Sequence, residues 1–129
     1  MFTPVLEQCP KFVEYWDAFI SDYGNESELE SLPLYLIGAD FARYIVKCYI
    51  FGDLEEVQIA FNIIENWIVD GDEYVQNCAI IGVLEQLQNS NITGTINPEQ
   101  FLQFAGSATQ KYWVKIIDFW EKGILITDK

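Results

Sequence analysis

Histidine is absent from this chain, which removes the commonest general base and the commonest side-chain metal ligand. No GxSxG, P-loop or GxGxxG stretch occurs, so the usual frames for a serine nucleophile or a nucleotide phosphate are missing too. Bases are scarce: seven Lys and Arg stand against twenty Asp and Glu. No basic patch is evident to hold a phosphate backbone, so no nucleic-acid partner is expected. The three cysteines, Cys9, Cys48 and Cys78, are odd in number, widely spaced and without a CxxC pair. They predict buried free thiols in a cytoplasmic protein rather than a disulfide framework or a zinc site. Apolar runs are broken by charges before the ~18 residues of a membrane span. The N-terminal "MFTPVLEQCPK" has neither a basic n-region nor an apolar h-region, so no signal peptide is expected. Together these absences predict no catalytic residue, no cofactor and no metal.

What is present is acid, aromatic side chains and enough apolar residues for a core. Half of the 129 residues are hydrophobic and 16% are aromatic, as expected for one globular domain over residues 1–129. The net charge of −13 is unevenly placed. Residues 1–90 hold sixteen acids against Lys11, Arg43 and Lys47, whereas residues 91–129 hold four of each sign. Such a field repels anionic membranes and speeds encounter with basic partners. Solubility is its plainer consequence.

The apolar pattern is helical nearly throughout. Pro4 after Thr3 is a favoured helix start, and Phe12, Tyr15, Trp16 and Phe19 fall at i, i+3, i+4 and i+7, making one aromatic face. "GNESELES" reads as an acidic loop. From Pro33 to Phe51 only Asp40, Arg43 and Lys47 are charged, so this helix is expected to be central and surrounded. "FGDLEEVQ" and "DGDEYVQ" repeat one device nineteen residues apart. Gly52 and Gly71 suit a left-handed helix end, and Asp53 and Asp72 suit the next N-cap, with Glu56 completing a capping box on Asp53. Residues 33–51, 54–69 and 73–89 are thus expected as three antiparallel helices, with about 24 Å for a pass of sixteen residues at 1.5 Å per residue. The fold class is all-α, a compact antiparallel helical bundle whose corners resemble HEAT-like helical hairpins.

"DGDEYVQNCAII" also tests a metal site and fails. A calcium loop alternates oxygen ligands over about twelve residues and closes on a bidentate glutamate, whereas this stretch turns helical after its third acid. The last third carries "NPEQ" and "SATQ", each with a cap residue and a glutamine at the box position. Gly106 and Gly123 are expected to close the short and the final helix. The final helix shows a heavy aromatic face over Tyr112, Trp113, Ile116, Ile117, Phe119 and Trp120, fit to seal the core; "ILITDK" is left as a tail.

The helix over 54–69 has an apolar arc wider than half its circumference, expected to pack on two sides. Its opposite stripe is Glu55, Gln58, Asn62, Glu65 and Asn66, expected to face solvent and to form the continuous footprint for a basic protein. In 73–89 Gly82 permits close approach of a neighbour. Glu85 falls on the α-helical face of Tyr74, Cys78 and Ile81, where an apolar setting would raise a carboxyl pKa.

The run from Leu32 to Asn89, with "PEQFLQFAGSATQKYWVKIIDFWEKG" from Pro98 to Gly123, resembles a family of small acidic all-helical bacterial proteins. These are immunity-protein-like and associated with polymorphic-toxin loci. The resemblance implies a helical fold and a stoichiometric inhibitor of a basic toxin; it carries over no binding residue. The alternatives from other classes are a small helical enzyme or ligand-binding domain using Glu85, Tyr74 and nearby carboxylates in a cleft, and a general helical adaptor.

Overall fold

Helical periodicity carries through to the computed structural model, which describes residues 1–23 and 34–122 and has no strand among them. The expected loop "GNESELES", the start at Pro33, Gly123 and the "ILITDK" tail lie outside the described residues. Helix α1 (Thr3–Gln8) and a 3-10 turn at Pro10–Phe12 lead into α2 (Val13–Tyr23), each of the first two with a proline in its first turn. The aromatic face forms as spaced: Phe12 and Phe19 are buried, with Tyr15 and Trp16 half-buried beside them. Phe2 is the hub of this cluster, its ring 6.0 Å from Phe12, 6.0 Å from Phe41 and 5.2 Å from Trp67. The Trp67 indole N–H donates to the Met1 carbonyl at 3.1 Å, which ties the first residue to the interior.

α3 (Leu34–Ile50) is the central helix, with Ile37, Phe41, Ala42 and Ile45 fully enclosed. α4 (Leu54–Asp70) packs on α3 from one side and on the C-terminal segment from the other, which accounts for its wide apolar arc. Two corners join these helices as expected, but by different physics. Gly52 takes φ +79°, the left-handed region where a Cβ is strained. Gly71 has φ −73° and extended ψ, so left-handedness is not its reason. A Cβ there would strike the Trp67 carbonyl oxygen and would lie 2.6 Å from Val75 Cγ1.

Asp53 and Asp72 cap their helices, accepting from Glu56 N at 3.4 Å and Val75 N at 2.9 Å. The expected box on Asp53 is only half made. Its backbone N–H donates to the Cys48 carbonyl instead, and among the described residues Glu56 Oε1 has no hydrogen-bond partner.

The expected helix over 73–89 is composite: α5 (Glu73–Asn77), a π-helical stretch Cys78–Leu84, and α6 (Glu85–Leu87). Bonding i to i+5 widens each turn by one residue. A face spaced for an α-helix therefore does not persist from Tyr74 through to Glu85. The π stretch is the chief packing partner of α3. A Cβ on Gly38 would meet the Gly82 carbonyl at 3.0 Å, so the close approach expected of Gly82 is a glycine-to-glycine contact.

α7 (Ser90–Thr93) and a 3-10 stretch Pro98–Phe104 precede α8 (Ser107–Lys122). Asn97 caps the 3-10 stretch through Glu99 N at 3.0 Å, but Gln100 does not complete a box; it accepts from the Tyr49 hydroxyl. Trp113 and Ile116 bury the apolar face of α8. Among the described residues no helix is long and apolar enough to cross a membrane.

Gly71→Ala should destabilise the fold by about 2 kcal/mol, an overpacking cost at an ordinary φ, read as a shift in the urea midpoint. An unchanged midpoint would show that the corner relaxes around a methyl group.

Candidate functional site

The polar stripe of α4 divides into two classes. Glu55, Asn62 and Asn66 are exposed as expected. Gln58 and Glu65 are not free, because the C-terminal third lies over them. Gln58 Nε2 donates to the Phe104 carbonyl at 3.0 Å and to Asn62 Oδ1 at 2.9 Å. Glu65 accepts from Ala108 N at 3.1 Å, Thr109 N at 2.8 Å and the Thr109 hydroxyl at 2.8 Å. The expectation that Glu65 faces solvent is thereby corrected. It is the N-terminal cap of α8, the role that sequence spacing assigned to Ser107, with an anion where the helix dipole is positive. Burial pushes its carboxyl pKa up, but the bonds from Thr109 and Ala108 outweigh burial and hold it below the ordinary range. Gly106, expected to close a helix, leaves room for this carboxylate: a Cβ there would lie 2.5 Å from Glu65 Cδ.

At the start of α5 the exposed face continues through Asp70, Asp72 and Glu73. Among the described residues Glu55, Asp70 and Glu73 have no ion-pair partner, whereas Asp40 pairs with Arg43 at 3.0 Å. The surviving acidic surface thus runs along α4 to the corner with α5.

A cleft of about 620 Å³ opens elsewhere, between α2 and α3. Pro10, Lys11, Glu14, Tyr15 and Ala18 form one wall; Tyr44, Lys47, Cys48, Phe51 and Asp53 form the other. Its volume falls in the ~300–1,000 Å³ range of small-molecule sites. Aromatic packing sets the wall geometry, the Tyr15 and Tyr44 rings meeting edge to face at 6.1 Å. Tyr44 is 3% exposed, whereas Phe51 is 75% exposed.

The thiols are held in the protonated form, including that of Cys48 on the cleft wall. Burial first, then the hydrogen bond and charge of Glu56, push the Cys9 pKa up to about 12. Burial also raises Cys48 and Cys78, and all three cysteines are buried and free, as expected. A protonated thiol is a poor nucleophile and a poor metal ligand. Among the described residues the buried Tyr44 hydroxyl has no nitrogen or oxygen partner, and burial, ahead of the neighbouring Cys48 and Glu56, raises its pKa.

Glu85 and Tyr74 lie away from this cleft. Tyr74 is exposed, its ring 6.1 Å from that of Tyr35, and Glu85 is half-buried with a pKa raised by burial alone. Neither lines the α2–α3 cleft.

A profile of the family described as a domain of unknown function, DUF7674, matches residues 2–121. The chain belongs to the DUF7674 family. No curated protein and no solved structure matches the chain. The matched span includes both the acidic stripe of α4 and the cleft.

Sequence reasoning reached the stripe through its spacing but missed the cleft. The one available signal was the scarcity of bases: two of the three in residues 1–90, Lys11 and Lys47, fall on its walls.

Two outcomes follow from this geometry. The folded pKa of Glu65 lies below its unfolded value of about 4.3, so its stabilisation is complete above that pH. It is lost as pH falls through the folded pKa. Glu65→Gln should therefore cost about 1 to 2 kcal/mol at neutral pH, with the gap from wild type closing in acid denaturation series. A pH-independent gap would contradict the charge-assisted cap. Tyr44→Phe should raise stability by up to about 1 kcal/mol, since it removes a buried hydroxyl left unpaired. A lower melting temperature would mean that the hydroxyl is served by a partner such as a bridging water.

Proposed function

We propose that this protein is a protein-binding module that neutralises a basic bacterial protein through an acidic face, as an immunity protein does in the cytoplasm. The observation that supports this best is the set of carboxylates left without internal partners along one exposed surface. Glu55 opens α4, Asp70 ends it and Glu73 begins α5; all three are exposed and none has an ion-pair partner among the described residues. Glu55 and Asp70 lie about 22 Å apart at 1.5 Å per residue, a span that one interface of standard size covers. Asn62 and Asn66 lie between them as uncharged hydrogen-bonding groups. Gln58 and Glu65 contribute indirectly, holding the C-terminal segment against the edge of the same face.

The net charge of −13 supplies the long-range part. A field of that size steers a cationic partner and raises its association rate, and salt screens it within ~10 Å at 0.1 M. The toxin identity of the partner rests on the resemblance of the chain alone. It is the part of the proposal that a neighbouring open reading frame or co-purification from the source cell addresses first.

With that partner in hand, the association rate should fall about tenfold or more between roughly 0.05 and roughly 0.5 M salt. Glu55→Lys combined with Asp70→Lys should slow it comparably at low salt and leave the circular dichroism spectrum unchanged. Glu65 is unsuited to such a reversal, since losing it loosens the fold. A rate indifferent to both salt and reversal would remove the acidic-face mechanism.

A further inference from the structure

We propose that the cleft between α2 and α3 binds a small zwitterion with a bulky apolar or aromatic body, of the α-amino-acid class. Its carboxylate would sit on Lys47, its ammonium on Glu14 and its body against Tyr15, Tyr44 and Phe51. The charges on the walls decide the ligand class, because not all of them are available. Asp53 is engaged at both oxygens, though weakly at the second: Oδ1 caps α4, and Oδ2 lies 4.0 Å from the Lys11 ammonium in a solvent-exposed contact. Arg43, outside the cleft, is held by Asp40. Lys47 and Glu14 remain, both exposed, one on each wall, and neither has an ion-pair partner among the described residues.

One unspent charge of each sign suits a ligand that carries both. A simple anion would meet Glu14 and the field of a chain with net charge −13. A simple cation would leave Lys47 uncompensated. A zwitterion has no net charge to be repelled and satisfies both groups.

The body of the ligand follows from the rings. Tyr15 and Tyr44 are locked edge to face, so that part of the wall is formed before binding and little ordering cost remains. Phe51 offers a large apolar surface that the described chain leaves uncovered. A single-ring amino acid fits a volume of about 620 Å³ with room for water. This site lies apart from the acidic stripe of α4 and stands whether or not that stripe binds a protein.

The test is a titration of the ¹⁵N-labelled protein with three probes sharing one body: L-phenylalanine, 3-phenylpropionate and phenethylamine. L-Phenylalanine should give saturable amide shifts confined to residues 10–18 and 44–53, and should bind more tightly than either charge-deleted analogue. Lys47→Met should weaken L-phenylalanine and phenylpropionate about tenfold and leave phenethylamine unchanged; Glu14→Gln should do the converse. Both residues are exposed, so the variants should fold; if one does not, the ranking of the three probes on the wild-type protein decides. Absence of saturable shifts, shifts mapping elsewhere, or analogues binding as tightly as L-phenylalanine would overturn the proposal.

Discussion

The fold depends on one carboxylate more than on any other polar group. Glu65 projects from the middle of α4 and takes three hydrogen bonds from the first turn of α8. The free N–H groups of a helix start have no partner within the helix, so they need an acceptor from elsewhere. Here it comes from a helix forty-odd residues earlier. Those bonds hold the start of α8 against α4, so that α8 covers one side of a helix whose other side packs on α3. Trp113 and Ile116 can then close the core. Gly106 is part of the same constraint, since any side chain there would evict the carboxylate.

The opposite side of the molecule is governed by close approach without charge. α3 and the π-helical stretch meet at Gly38 and Gly82, where a single added carbon would touch backbone. Two helices that near exchange many van der Waals contacts along their length, each small but collectively large. The aromatic cluster around Phe2 then fills the space between α1, α3 and α4. Polar detail concentrates at the helix ends, where Asp53, Asp72, Asn97 and Glu65 each satisfy backbone donors.

Charge is distributed by the same logic. Some acids are structural, as Glu65 and the caps show, and some are paired, as Asp40 is with Arg43. Among those left over, Glu55, Asp70 and Glu73 face water along α4 and its corner with α5, the face proposed for a basic partner, while Glu14 borders the cleft. The few bases are not spread at random either. Lys11 and Lys47 both border the cleft, and there they balance Glu14 and Asp53. A strongly acidic chain thus keeps one locally neutral pocket.

The sequence by itself determined the all-helical fold, the two corners and the buried state of the three cysteines, because each rests on local rules. Period 3.6 sorts apolar from polar residues, glycine and aspartate mark helix ends, and an odd set of unpatterned cysteines implies free thiols. Tertiary structure alone decided which polar residues of α4 are spent. The wheel places Glu55 and Glu65 on one stripe, but only the segment at 98–109 distinguishes them, and helical spacing holds no record of what packs from forty residues away. It also decided the π turn at Cys78–Leu84, which shifts Glu85 off the face that α spacing gave it. The cleft arose in the same way, since its walls come from the start of α2 and the end of α3. Only packing brings Glu14 and Lys47 to face one space.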